Sequence, residues 1–334
     1  MVENRATPAT IEGLLRSEYG RRFYGDGAPR WREGRNGNSS ATAEQAAHQR
    51  DLLVKALRRD RGTEAIALAG KLTACSSRHR CLSGACPICG RALQRMCVDA
   101  TRNLFDDHGG EMLVVNVVMR SGWIELGDLI DDDIFDKTRR RLRRALEDVN
   151  VPAVGGFDIS LNEHETEAFA PHWAPHAFLL VPSRPLRRRE ARFRELFLPD
   201  ARTPRPIFIQ DFDGRRAGRA YAFKADFSRR VTLLPRWRAD GSRSTFGTRP
   251  TPIWGPRRVE LALALDRTGL DARLFLRGYE LVASRGNVEV VRVQRMNLVA
   301  RNRPGSWARQ SAASAAGVAI GDKRCDGKPK RRAP

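Results

Sequence analysis

Four cysteines, Cys75, Cys81, Cys86 and Cys89, fall within fifteen residues, and the last two frame Pro87-Ile88. Two cysteines separated by two residues form a knuckle whose thiolates converge on one tetrahedral ion, and Cys75 and Cys81 stand close enough upstream to complete a four-sulfur shell. The pattern predicts a structural zinc site, with His79 as an alternative to one sulfur. The competing reading, small buried thiols at accidental spacing, suits Cys97, on a predicted helix face, and Cys325, in the tail.

A chain of 334 residues can bury a full core, as one large domain with appendages or as two smaller ones. Its 60 Lys and Arg against 39 Asp and Glu leave +21, far beyond what solubility needs, so a polyanionic partner is expected, nucleic acid first. An anionic membrane is a weaker candidate, because there is no apolar run of spanning length, no basic amphipathic helix and no lipidation signal. The opening Met1-Val2-Glu3-Asn4-Arg5 does not read as a signal peptide, which predicts a reducing cytoplasm where clustered thiols bind metal rather than pair as disulfides.

Four segments are predicted. Residues 1–42 read as a flexible basic arm with aromatics at Tyr19, Phe23, Tyr24 and Trp31, and 43–105 as a helical zinc-binding module. Residues 106–300 read as an α+β catalytic or DNA-binding domain, and 301–334 as a disordered basic tail ending Lys328-Pro329-Lys330-Arg331-Arg332.

Within the third segment, Met112–Met119 is a β-branched run suited to a strand buried on both faces. Asp131–Asn150 is a helix with an acidic first turn and a basic middle, as the helix dipole favours. Residues 155–162 alternate, with Phe157, Ile159 and Leu161 on one face and Asp158, Ser160 and Asn162 on the other. A second strand runs from about His176 to Pro182, joined to the first by a polar connection holding Glu163, His164, Glu165, Glu167 and His172. A basic helix over 187–198, a strand over 206–209 and a helix over 218–230 follow, then mixed patterns over 258–282 and an edge strand over 288–293.

Two of these segments carry candidate chemistry. A histidine entering an apolar strand, as His176 does in Pro175-His176-Ala177-Phe178, is by default a core residue with satisfied nitrogens. On a helix, Tyr221 and Lys224 share a face, so the ammonium can favour the phenolate or bind the phosphate it attacks. An amphipathic helix facing DNA carries the same residues.

Taken in order, the motifs resemble the rolling-circle plasmid replication initiators of the HUH endonuclease superfamily. The matching residues are Cys81, Cys86-Pro87-Ile88-Cys89, Met112–Met119, Gly156-Phe157, Pro175-His176-Ala177-Phe178 with Leu179-Leu180-Val181, and Tyr221 with Lys224, over about residues 75–230. The resemblance implies a central antiparallel sheet flanked by helices, with His176 on a middle strand and the zinc module, N-terminal or inserted, packed beside it. It also implies a nickase, in which Tyr221 attacks a single-stranded DNA phosphodiester at an origin, leaving a 5′-phosphotyrosine and a 3′-hydroxyl that primes replication. Mg²⁺ or Mn²⁺ would polarise the phosphate, held by His176 with Asp158, Glu163 or His172.

Two positions depart from the family. Its second metal-binding histidine falls on Phe178, and its second tyrosine on Ala225. A catalytically inactive zinc-containing DNA-binding protein on the same fold is therefore the alternative. His172 and His176 also lie four extended residues apart, roughly 13 Å, and reach one ion only if the chain turns at Ala174-Pro175.

Overall fold

The computed structural model describes residues 7–17, 20, 41–118, 123–129, 134–200, 203, 205–224, 227–233, 247–284 and 287–293. The tail over 301–334, the aromatics Tyr19, Phe23, Tyr24 and Trp31, and the acidic residues Asp131, Asp132 and Asp133 lie outside them.

Helical periodicity upstream of the cysteines produces α2 (Ala43–Asp60) and α3 (Thr63–Thr73), after a short α1 (Ile11–Arg16). The start of α2 is set by a capping box: the Thr42 hydroxyl accepts from the Gln45 N–H and the Gln45 side chain accepts from the Thr42 N–H. Next, α4 (Pro87–Ala100) starts inside the cysteine cluster, because Pro87 at its first position is pre-set for helix and needs no N–H there. Its residues from Cys89 to Val98 are buried, so it is a core helix rather than an amphipathic surface one.

The main sheet is built from β2 (Met112–Val118), β3 (Ile124–Glu125), β4 (Ala153–His164), β5 (His172–Pro182), β6 (Ile207–Asp211), β7 (Ser228–Leu233), β8 (Gly247–Thr251) and β9 (Leu274–Arg277). Its order is β6-β2-β5-β4-β7-β8, with β3 beside β5 and β9 beside β4. The remaining helices are α5 (Asp136–Asp148), α6 (Ser183–Arg187), α7 (Glu190–Glu195), α8 (Arg216–Ala222) and α9 (Pro256–Thr268). A smaller sheet joins β1 (Thr7–Pro8), β10 (Tyr279–Ser284) and the edge strand β11 (Asn287–Arg292). The architecture is α+β, and β5, carrying His176, is an interior strand between β2 and β4.

Three expectations need correction. The sheet is mixed rather than antiparallel, since β7 runs parallel to β4. The segment over 218–230 is not one helix: α8 ends at Ala222, and Ser228–Leu233, with β-branched Val231 and Thr232, is drawn into the sheet beside β4. The segment over 187–198 is not one helix: it holds the last residue of α6 and all of the six-residue α7. Part of the N-terminal arm is also built into the fold, for β1 pairs with β10 and Ile11, Leu14 and Leu15 are buried.

One contiguous cluster of buried residues runs from α1–α4 through the sheet to α9. Buried Glu260 of α9 accepts from the Trp173 indole N–H at 3.0 Å and the Gly127 N–H at 2.8 Å, and pairs with Arg257 at 3.0 Å. No described helix is long and apolar enough to cross a membrane.

Within β5, Pro175 lies opposite Ile159 of β4. The strand continues through this point without turning.

Glycine at 156 lets α8 approach the sheet: a Cβ there would lie 2.7 Å from the Ala222 carbonyl oxygen. Gly156→Ala is therefore expected to push α8 off β4 and cost about 1–3 kcal/mol, read as a lower urea midpoint at unchanged m-value.

Candidate functional site

The chain before α4 folds back so that four sulfurs meet at the helix head. Cys75 Sγ lies 3.6 Å from Cys89 and 3.5 Å from Cys86, Cys81 Sγ lies 3.8 Å from Cys89, and all four fall within 4.8 Å of one another. A tetrahedral ion with metal–sulfur bonds of about 2.3 Å requires edges of about 3.8 Å, so the sulfurs fit a single ion. The four thiols can hold a metal. Hydrogen bonds from Cys81, Cys86 and Cys89 pull the Cys75 thiol well below its ordinary range, while Cys81 and Cys86 are pushed up, chiefly by Cys75. Cys89 is lowered as well, so the four thiols split into two favoured and two disfavoured as thiolates, and a cation is what allows all of them to share this buried space as thiolates. The positive end of α4 favours the same negative charge. His79 is exposed and outside the set, and Cys97 is a buried thiol pushed up by burial. Cys325 lies outside the described residues.

From the cluster, α4 leads to the candidate tyrosine. Gln94 donates through Nε2 to the Ala220 carbonyl oxygen at 2.7 Å, fastening α8 to α4 just before Tyr221. The tyrosine side chain is 40 % exposed and sets its ring edge-on to Phe178, centroids 4.8 Å apart. The Phe178 ring also lies beside His176, with centroids 6.3 Å apart and planes nearly parallel.

Cross-strand register puts Asp158 opposite His176 and Asn162 opposite His172, on the face that α8 covers at Gly156. His176 is buried, with Nε2 at 2.9 Å from Ser160 Oγ. The Ser160 hydroxyl donates its one proton to Asn162 Oδ1 at 3.0 Å, so His176 Nε2–H is the donor and Nδ1 keeps a lone pair that meets no partner among the described residues. Burial first, then the charges of Arg230 and Lys224 against the opposing pull of Asp158, lower the His176 imidazole to about 3. Asp158 is also buried; its Oδ1 accepts from the Ile159 N–H and its Oδ2 pairs with Lys224 Nζ at 3.4 Å.

The remaining candidates lie elsewhere. Lys224 follows the end of α8 rather than sharing a helical face with Tyr221, and its ammonium turns to Asp158 instead of the phenol. Glu163 alternates onto the opposite face of β4, where it pairs with Arg229. His172 shares the His176 face but sits four strand residues away, with its ring stacked on Trp123 at 3.9 Å and Nδ1 donating to the Ala170 carbonyl at 3.0 Å. The structure thus brings together His176, Asp158, Lys224, Phe178 and Tyr221, and not Glu163 or His172.

Several participants carry no advance label. Ser160 and Asn162 were visible as the polar half of the β4 alternation, whereas Gln94 and Arg273, which donates to the Lys224 carbonyl, have no sequence signal. Positive charge accumulates where α4 meets α8. Burial, then Arg91 and Arg216, lowers Arg95 to about 10, and Arg219 is lowered by burial and Arg216, with Asp99 the nearby carboxylate. No family model, curated protein or solved structure matches the chain.

Two outcomes are expected. Stripping the metal with a chelator, or Cys89→Ser, should abolish one-to-one zinc binding and remove about 3–4 kcal/mol, the mass-action contribution of a ligand at 100 to 1,000 times its Kd, seen as a lower thermal midpoint. His176 has a folded-state value below that of the unfolded chain, so its neutral form contributes stability above about pH 6.5 that is lost as pH falls toward about 3. His176→Gln is expected to flatten that limb of the stability–pH curve relative to wild type, measured by urea unfolding at each pH.

Proposed function

We propose that this chain is a zinc-containing DNA-binding protein of the rolling-circle initiator type, which docks a single DNA strand on the Tyr221 face without a divalent-metal nicking centre. The observation that carries this reading is the Phe178 ring, in contact with both His176 and Tyr221 at the position where the resemblance expects a second metal-binding imidazole. A phenyl ring donates no lone pair, and it holds apolar surface where a hydrated cation would have to meet the phosphate. Lys224 acts in the same direction by neutralising Asp158, the nearest carboxylate.

What remains suits strand binding. An exposed phenol backed by a second aromatic ring is a platform for a base, and Arg216, Arg219 and Arg230 supply charge for the backbone. Zinc at the cysteine cluster has a structural role here: it fixes the head of α4, and α4 holds α8. The net charge of +21 supplies the long-range attraction.

One observation favours a retained nickase. His176 Nδ1 is a buried lone pair with no partner among the described residues, and Tyr221 is open to solvent. In that reading His176 would hold a divalent ion that polarises the phosphate, while Tyr221 forms the phosphotyrosine bond as the 3′-oxygen departs. Incubation with a pool of single-stranded oligonucleotides and Mn²⁺ separates the two. The proposal expects no covalent adduct from wild type, and a loss of roughly tenfold in affinity for a mixed-sequence single strand in Tyr221→Ala, by fluorescence anisotropy. An adduct that is absent in Tyr221→Phe establishes the nickase instead.

A further inference from the structure

A second cationic site lies between α2 and α3. Arg50, Asp51, Val54, Lys55, Arg58 and Arg59 of α2 and Thr73 of α3 line an open groove of about 410 Å³. Asp51, Lys55, Arg58 and Arg59 follow helical spacing, so they form one stripe along α2. Of the lining charges, Asp51 is taken by Arg50 at 2.8 Å. Lys55, Arg58 and Arg59 are exposed, and none has a carboxylate partner among the described residues; Arg58 reaches only the Thr73 hydroxyl at 3.4 Å. Three like charges on adjacent turns repel one another, and an anion bound among them relieves that repulsion.

We infer that this groove binds the phosphate backbone of duplex DNA. The lining contains no aromatic side chain, so it offers nothing for an unstacked base, in contrast to the Tyr221 face. A duplex carries about one charge per 1.7 Å of axis and keeps its bases stacked inside, which suits a groove made of cations alone. A flanking contact then anchors the groove to the metal module. Arg50 donates through Nη1 to the Cys75 carbonyl at 3.3 Å, and Thr73 lies two residues before Cys75, so the cysteine cluster sets the spacing between the α2 stripe and its opposite wall. The inference stands apart from the proposal for the Tyr221 face, since each site is tested by its own substitutions and its own DNA form.

The test uses the full zinc-loaded chain and a random-sequence 20-base-pair duplex, with affinity followed by anisotropy across a salt series. Removing three phosphate contacts in Lys55→Ala/Arg58→Ala/Arg59→Ala should reduce the slope of log K against log salt by about 2.7, at roughly 0.9 per contact. Affinity of the same variant for a mixed-sequence single strand should change much less, and that of Tyr221→Ala for the duplex should stay near wild type. An unchanged duplex slope in the triple variant, with its thermal midpoint at the wild-type value, overturns the inference. An equal loss on duplex and single strand overturns it too, because it would reduce the groove to general electrostatic attraction.

Discussion

Everything downstream depends on four sulfurs meeting at the head of one buried helix. A helix surrounded on all sides has no solvent to accept misplaced polar groups, so each must find a partner inside the protein. In α4 the Arg91 guanidinium donates to the Ala41 carbonyl at 3.0 Å and Gln94 donates to Ala220. Position and rotation of α4 are therefore over-determined, by the cysteines at one end and by side-chain hydrogen bonds along its length. The tyrosine helix, only seven residues long, has little stability of its own and takes its place from α4 on one side and Gly156 on the other.

The same rigidity explains why the polar groups beneath Tyr221 are so constrained. Asp158, Ser160 and His176 sit on adjacent interior strands, where register leaves no freedom to trade partners. Within that frame the phenyl ring at 178 sets apolar surface between the buried His176 and the half-exposed Tyr221. Surface arginines follow a looser logic: exposed Arg187, Arg192 and Arg194 pair with the half-buried Glu190 and the exposed Asp148, and such surface pairs contribute little to stability. The cations without such partners, above all those on α2, are where the charge excess is available to an external polyanion.

The legible parts of the fold were those in which a local pattern and a tertiary need agreed. The helical pattern upstream of the cysteines, the β-branched β2 run and the alternation of β4 each announced their element, because burial on one or both faces leaves a periodic trace. The segment over 218–230 misled for the opposite reason. Its residues tolerate helix, but an open edge beside β4 drew Ser228–Leu233 into a parallel strand, and no window of sequence records which edge is free. Glu163 lies on the opposite face of β4 from His176 through the same arithmetic that sets Asp158 beside it, since odd and even positions of one strand face opposite ways.

What the sequence by itself determined was the set of donors: four thiols at metal-binding spacing, a polar stripe on β4, a histidine in an apolar strand, and a large excess of arginine. These survive inspection because they are properties of composition and short-range spacing. Only the tertiary structure decided which of them meet. It placed Lys224 on Asp158 rather than Tyr221, kept His172 on its strand well away from His176, and set Phe178 against both His176 and Tyr221. The reason is that such contacts depend on strand register and helix docking, which are settled by packing over the whole core rather than by any local run of residues.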